Sequence, residues 1–132
     1  MASVTILAVS PAEEDHVGLA HLFSHSNWKF DQARTCAEAR EALGRGDTAV
    51  VICAVELPDG SWRDLLASLA GRAAPPRLIV ASRLADDRLW ADVLDRGGYD
   101  VLSVPFEGRE VIRVVSLAWR QWKHETEGLA RR

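Results

Sequence analysis

Apolar residues fall in short, nearly continuous runs, separated by longer stretches with a helical repeat. Val4-Thr5-Ile6-Leu7-Ala8-Val9 is almost unbroken, as expected of a strand covered on both faces. Ser10-Pro11-Ala12-Glu13 reads as a capping box with proline at the first helical position. It opens a helix to about Ser26, with Leu19, Leu22 and Phe23 as the inner stripe. Residues 28–34 form a more polar strand, suited to a sheet edge. Thr35-Cys36-Ala37-Glu38 is a second capping box, and its helix runs to about Leu43, stopped by Gly44 and Gly46. Residues 49–54 are the most apolar strand and predict a central position.

Ser61 caps a third helix, in which Trp62, Leu65, Leu66 and Leu69 fall at i, i+3, i+4 and i+7. Ala73-Ala74-Pro75-Pro76 is a linker, followed by a fourth strand at Leu78-Ile79-Val80-Ala81. The fourth helix carries Leu89, Trp90, Val93 and Leu94 and ends at Gly97-Gly98. A fifth strand spans Asp100 to Val104 and is closed by Pro105. The last helix starts near Arg109 and extends over residues 109–128.

Strands separated by helices require crossover connections and a parallel sheet. Right-handed crossovers place helices on both faces. The expected architecture is a three-layer (βα)5 doubly wound α/β fold of the flavodoxin-like kind, with strand order 2-1-3-4-5. The length of 132 residues fits a single domain over 1–132. Hydrophobic residues make up 48% and charged residues 27%, an ordinary globular balance. A net charge of −3 argues against a nucleic-acid-binding domain. The basic residues concentrate late in the chain, at Arg109, Arg113, Arg120, Lys123, Arg131 and Arg132. No apolar run approaches the roughly 18 residues of a membrane span. Met1-Ala2-Ser3 leads straight into a strand without the basic start of a signal peptide, so a cytoplasmic setting is expected. Cys36 and Cys53 show no paired spacing, and Cys53 reads as a small buried hydrophobe.

In a doubly wound sheet, ligands bind outside the carboxyl ends of the strands. The residues expected there are Ser10, Pro11, Ala54, Ser82 and Val104. Ser10 has no evident His–Asp partners and no nucleophile elbow around it. Gly44-Arg45-Gly46 and Gly97-Gly98 lack the Lys-Ser/Thr that follows a phosphate loop. His21 and His25 are four residues apart, the spacing of a metal pair, but lie opposite the Leu19/Phe23 stripe and read as solvated. Glu13, Glu14 and Asp15 complement the dipole of the first helix, and Asp59 shapes a turn. Trp119 and Trp122 sit far along the last helix, where they either mark an interface or fold back on the domain's own end.

Three segments carry a family likeness: Val50 to Ser61 with its Glu56-Leu57-Pro58-Asp59-Gly60 loop, the Gly97-Gly98-Tyr99-Asp100 step, and Pro105-Phe106. Over almost the whole chain the sequence resembles the response-regulator receiver domain, the phosphoacceptor module of two-component signalling. The resemblance assigns Ala54 to the acceptor aspartate, Ser10 and Pro11 to the acidic pair that holds Mg2+, Ser82 to the switch hydroxyl, and Val104-Pro105 to a Lys-Pro pair. Only Ser82 matches among these functional positions, and Val101 stands where many receivers carry an aromatic switch residue. Phosphoryl transfer needs an in-line nucleophile and Mg2+, and Mg2+ takes carboxylate oxygens. A degenerate receiver is therefore expected, not an enzyme, with no cofactor. It would act by binding a protein (a histidine kinase, an output domain or another regulator) or as a homodimer through its last two helices. The alternative is a sensor that binds a cation or small anion at a rebuilt strand-end site, with contacts from Ser82 and the strand-end backbone amides, or from Glu13, Glu14 or Glu56 where the ligand is a cation.

Overall fold

The computed structural model describes residues 4–131; Met1-Ala2-Ser3 and Arg132 lie outside the described residues. The chain runs β1 (Thr5–Val9), α1 (Glu13–Leu22), β2 (Lys29–Ala33), α2 (Cys36–Leu43) and β3 (Thr48–Ala54). A small hairpin follows, β4 (Glu56–Leu57) with β5 (Gly60–Ser61), then α3 (Trp62–Leu69) and β6 (Arg77–Ser82). The chain ends with α4 (Asp87–Asp95), β7 (Asp100–Ser103) and α5 (Gly108–Ala130).

The five main strands form one parallel sheet in the order β2-β1-β3-β6-β7. This is the order expected from the sequence, with β6 and β7 as its fourth and fifth strands. β1 and β3 read as continuous apolar runs because both of their faces are covered. Leu7, Val9, Val51 and Cys53 point to a core shared with α2, α3 and α4, which includes Trp62, Leu65 and Val93. Ile6, Ala8, Val50 and Ile52 point to the other core, against Leu19 of α1 and Val111, Val115 and Ala118 of α5. Period-two alternation along each strand thus divides its side chains between two helical layers.

Four local expectations change. Ser10 does not cap α1: the helix begins at Glu13 behind Ala12, which offers no side-chain cap. Ser10 instead continues β1, donating its N–H to the Ala33 carbonyl at 3.0 Å. Its Oγ accepts from Ala12 N at 3.1 Å and donates to Asp15 Oδ2 at 2.6 Å. α1 stops at Leu22 because Ser24 and Ser26 turn their hydroxyls onto the carbonyls of His21 and Phe23, offering the backbone an alternative to the helix. His25 therefore lies beyond the helix, out of register with His21, and both are exposed. On α4 only Val93 is fully buried, while Trp90 turns outward.

Two glycines are required by close approach. A Cβ on Gly60 would lie 2.7 Å from Asp64 Oδ2, and one on Gly98 would lie 2.5 Å from Val93 Cγ1. The first lets the hairpin close onto the start of α3; the second lets the chain leave α4 and enter β7 under Val93.

Candidate functional site

Sheet register fixes the geometry at the strand carboxyl ends. Val9 pairs with Cys53, Ala54 with Ala81, and Ser82 with Ser103. Ser10, Ala54, Ser82 and Val104 therefore lie side by side across four adjacent strands. Neighbouring parallel strands are about 4.8 Å apart, so these residues share one edge.

The chemistry along that edge is sparse. Ala54 contributes a half-buried methyl. Ser82 Oγ accepts from Leu84 N at 3.0 Å, while the Ser82 carbonyl accepts from Val104 N. Val104 is joined to Pro105 by a cis peptide, and Phe106 beyond it packs on the α1/α5 core. Pro11 is exposed and has no donor. Asp15 is the nearest carboxylate in hydrogen-bonded contact with these positions, and it already accepts from Ser10. Glu13 is ion-paired with Arg34, and Glu14 and Glu56 are exposed. Mg2+ takes oxygen ligands in near-octahedral geometry, usually with one or two carboxylates. A committed serine hydroxyl, a proline and an alanine do not fit that requirement. Among the described residues, no group of three or more His, Cys, Asp or Glu is placed to hold a metal ion.

Behind this edge sits His16, which sequence reasoning missed. It is fully buried, and its Nε2 lies 2.8 Å from the Ser10 carbonyl, so that nitrogen carries the proton and donates. Among the described residues its Nδ1 has no hydrogen-bond partner. The signal was available, since position 16 precedes Leu19 by one helical turn. His16 thus anchors the strand end from below with a hydrogen bond.

Asp59 does more than shape a turn. Its carboxylate accepts from Cys36 N at 2.7 Å and from Ala37 N at 3.0 Å, at the amino end of α2. These two backbone bonds hold its pKa below the usual carboxylate range. Thr35 caps the same helix through Glu38 N, so hairpin and helix share one terminus. Burial raises the pKa of the Cys36 thiol, with the nearby Asp59 charge adding to it, and burial pushes the Cys53 thiol far above its ordinary value.

The interface candidates Trp119 and Trp122 are partly buried against the α1/α5 core. Trp119 packs on Trp28, with ring centroids 6.1 Å apart, and Trp28 meets Phe23 edge to face. Other apolar residues are more exposed, Leu117 and Ile112 of α5 among them. Leu84, before α4, is 77% exposed, Val17 of α1 61%, and Trp90 50%; Trp90 lies next to Val101 and Ser103 of β7 and Glu110 of α5.

The fold is a flavodoxin-like α/β fold of the kind found in response-regulator receiver domains. Solved structures give the particulars. The signal receiver domain of an HD domain-containing protein from Pseudomonas fluorescens Pf-5 matches at 25% identity and TM-score 0.86, over 96% of this chain and 94% of its own. The beryllofluoride-activated NtrC4 receiver domain dimer matches at 19% identity and TM-score 0.80, over 89% and 98%. A chain of the CheX-CheY-BeF3-Mg2+ complex from Borrelia burgdorferi matches at 19% identity and TM-score 0.76, over 85% and 86%. No family model and no curated protein sequence matches the chain.

Proposed function

We propose that this protein is a pseudo-receiver of two-component signalling that works without phosphorylation, by binding a protein partner in the bacterial cytoplasm. The observation that carries the reading is the strand-end edge itself: Ser10, Pro11, Ala54 and Val104 stand where an acidic pair, a nucleophile and a lysine would be needed. Such an edge performs no phosphoryl transfer and recruits no Mg2+, so the domain is a binding module and not an enzyme. The partner face lies on α4, β7 and α5, where Trp90 and Leu117 are exposed. Glu110 and Leu117 are seven residues apart on α5 and so lie on the same side of the helix, toward Trp90. Apolar side chains grouped on a polar surface mark an interaction site. A histidine kinase, an output domain, another regulator or a second copy would dock there. Two structural relatives are a receiver dimer and a chain from a complex, which supports a partner-binding role. No described helix is long and apolar enough to cross a membrane.

The test is a fluorescence titration with Mg2+, then with Mg2+ and beryllofluoride, a phosphoryl mimic. Trp62 is fully buried one residue past the hairpin and reports occupancy. The expected result is no saturable change up to about 10 mM Mg2+. A saturable change would show that Glu13, Glu14 or Glu56 rebuilds a cation site, and the phosphorylation-independent reading would fall.

A further inference from the structure

A groove lies toward the opposite end of the sheet from Ala54. It has a volume of about 760 Å³ and runs between α3, the Pro75-Pro76 segment, the entry to β7 and α5. That volume is within the range of small-molecule sites, roughly 300–1,000 Å³. Leu66, Ala70, Pro75, Pro76 and the Tyr99 ring give it apolar walls.

Three guanidinium groups line the same groove: Arg63, Arg77 and Arg96. Asp92 holds two of them together, accepting from Arg63 at 2.5 Å through Oδ2 and from Arg96 at 2.7 Å through Oδ1. Arg63 also lies over the Trp62 ring, 5.2 Å from its centroid. Arg77 is the most buried of the three, with its side chain 14% exposed, and it bonds Gln121, Glu125 and the Pro75 carbonyl. Three guanidiniums face two carboxylates, Asp92 and Glu125, which leaves an excess of one positive charge. Arg63 and Arg96 each spend one nitrogen on Asp92, so other N–H donors remain on two heads already fixed in place. A guanidinium pair of this kind recognises a carboxylate or phosphate oxygen pair.

We infer that this groove is a binding site for a small organic anion, its apolar ring or chain lying against Leu66, Pro75, Pro76 and Tyr99 and its anionic group bridging Arg63 and Arg96. The two arginines come from α3 and from the end of α4, so an occupant ties those helices together. The site uses none of the strand-end residues, and it stands or falls independently of how the Ala54 edge works.

The experiment is an amide-resolved NMR titration with three probes: 2-naphthoate, its neutral counterpart 2-naphthamide, and inorganic phosphate. With 2-naphthoate, saturable shifts are expected at Gly97, Gly98 and Tyr99, with submillimolar affinity. Binding of 2-naphthamide and of phosphate should each be weaker by about tenfold or more. The Arg63→Gln/Arg96→Gln double variant should lose about tenfold for 2-naphthoate. Leu66→Trp fills the groove without removing a charge and should abolish the shifts, which gives a second readout if the arginine variant is poorly folded. Absence of saturable shifts to about 10 mM overturns the proposal. So does equal affinity for the amide, which removes the need for an anion, or equal affinity for phosphate, which removes the apolar walls. Undiminished binding to Leu66→Trp also overturns it.

Discussion

Replacing Ala54 with aspartate would place one carboxylate at the end of β3, beside a Ser10 hydroxyl already bonded to Asp15 and opposite a Val104 that offers no charge. The new group would meet neither a metal-holding acid pair nor a lysine. The expected outcome for Ala54→Asp is a folded protein, destabilised by about 1 kcal/mol. It should show no phosphoryl mass increment after incubation with acetyl phosphate and Mg2+, read by intact-protein mass spectrometry. Stoichiometric labelling would show that the switch serine and one acid suffice, and that position 54 alone separates this edge from a working acceptor. The residues at this edge are legible from sequence because chemistry is a property of residue type once the strand is located. What lies behind them is less legible. His16 and the Ser10–Asp15 bond depend on how α1 is angled against β1, and no local pattern of one chain encodes that angle.

Among the elements, three stretches share the spacing of a capping box, and they fare differently. Ser61-Trp62-Arg63-Asp64 forms it in both directions: Ser61 Oγ accepts from Arg63 N, and Asp64 accepts from Ser61 N. Thr35 accepts from Glu38 N, but the Glu38 carboxylate takes Arg34 N, one residue early. At Ser10 the box fails, because the preceding strand keeps that residue in the sheet and delays the helix by two positions. The spacing encodes the cap only when no neighbouring strand competes for the serine backbone. Asp59 is the opposite case: a strong cap supplied from 23 residues away, invisible to local spacing. Its depressed pKa fixes the sign of its contribution. The stabilisation is present above the unfolded pKa, near pH 4, and is lost as pH falls through the lower folded value. Asp59→Asn should therefore lower the urea midpoint near pH 7 and reduce the loss of stability on acidification below about pH 4. If the variant and the parent lose stability in parallel on acidification, the carboxylate of Asp59 does not hold the hairpin to α2.

The five tryptophans separate the packed side of the whole molecule from the side that faces outward. Trp62 is sealed in the α2/α3/α4 core, while Trp28, Trp119 and Trp122 pack on the α1/α5 core near the amino ends of the strands. The sheet order was readable from alternation and from the polarity of the second strand, since topology follows from pattern and handedness. The destination of Trp119 and Trp122 was not: a long helix continues past its sheet or folds back according to what the far end of the sheet offers. Here it offers Trp28, on which Trp119 packs, and Arg77, which donates to Gln121 and Glu125 of α5. Trp90 is left as the tryptophan without such a cover, half-exposed on α4. This division predicts opposite effects of one kind of truncation. Trp119→Ala should cost about 2–4 kcal/mol, because it removes a ring packed on Trp28 and on the core. Trp90→Ala and Leu84→Ala should each change stability by no more than about 0.5 kcal/mol, because a half-exposed ring and an exposed leucine leave little cavity behind. Urea denaturation of the three variants measures both. If Trp90→Ala proves as costly as Trp119→Ala, then Trp90 is a folding residue, and the face formed by α4, β7 and α5 loses its claim as the surface on which a partner docks.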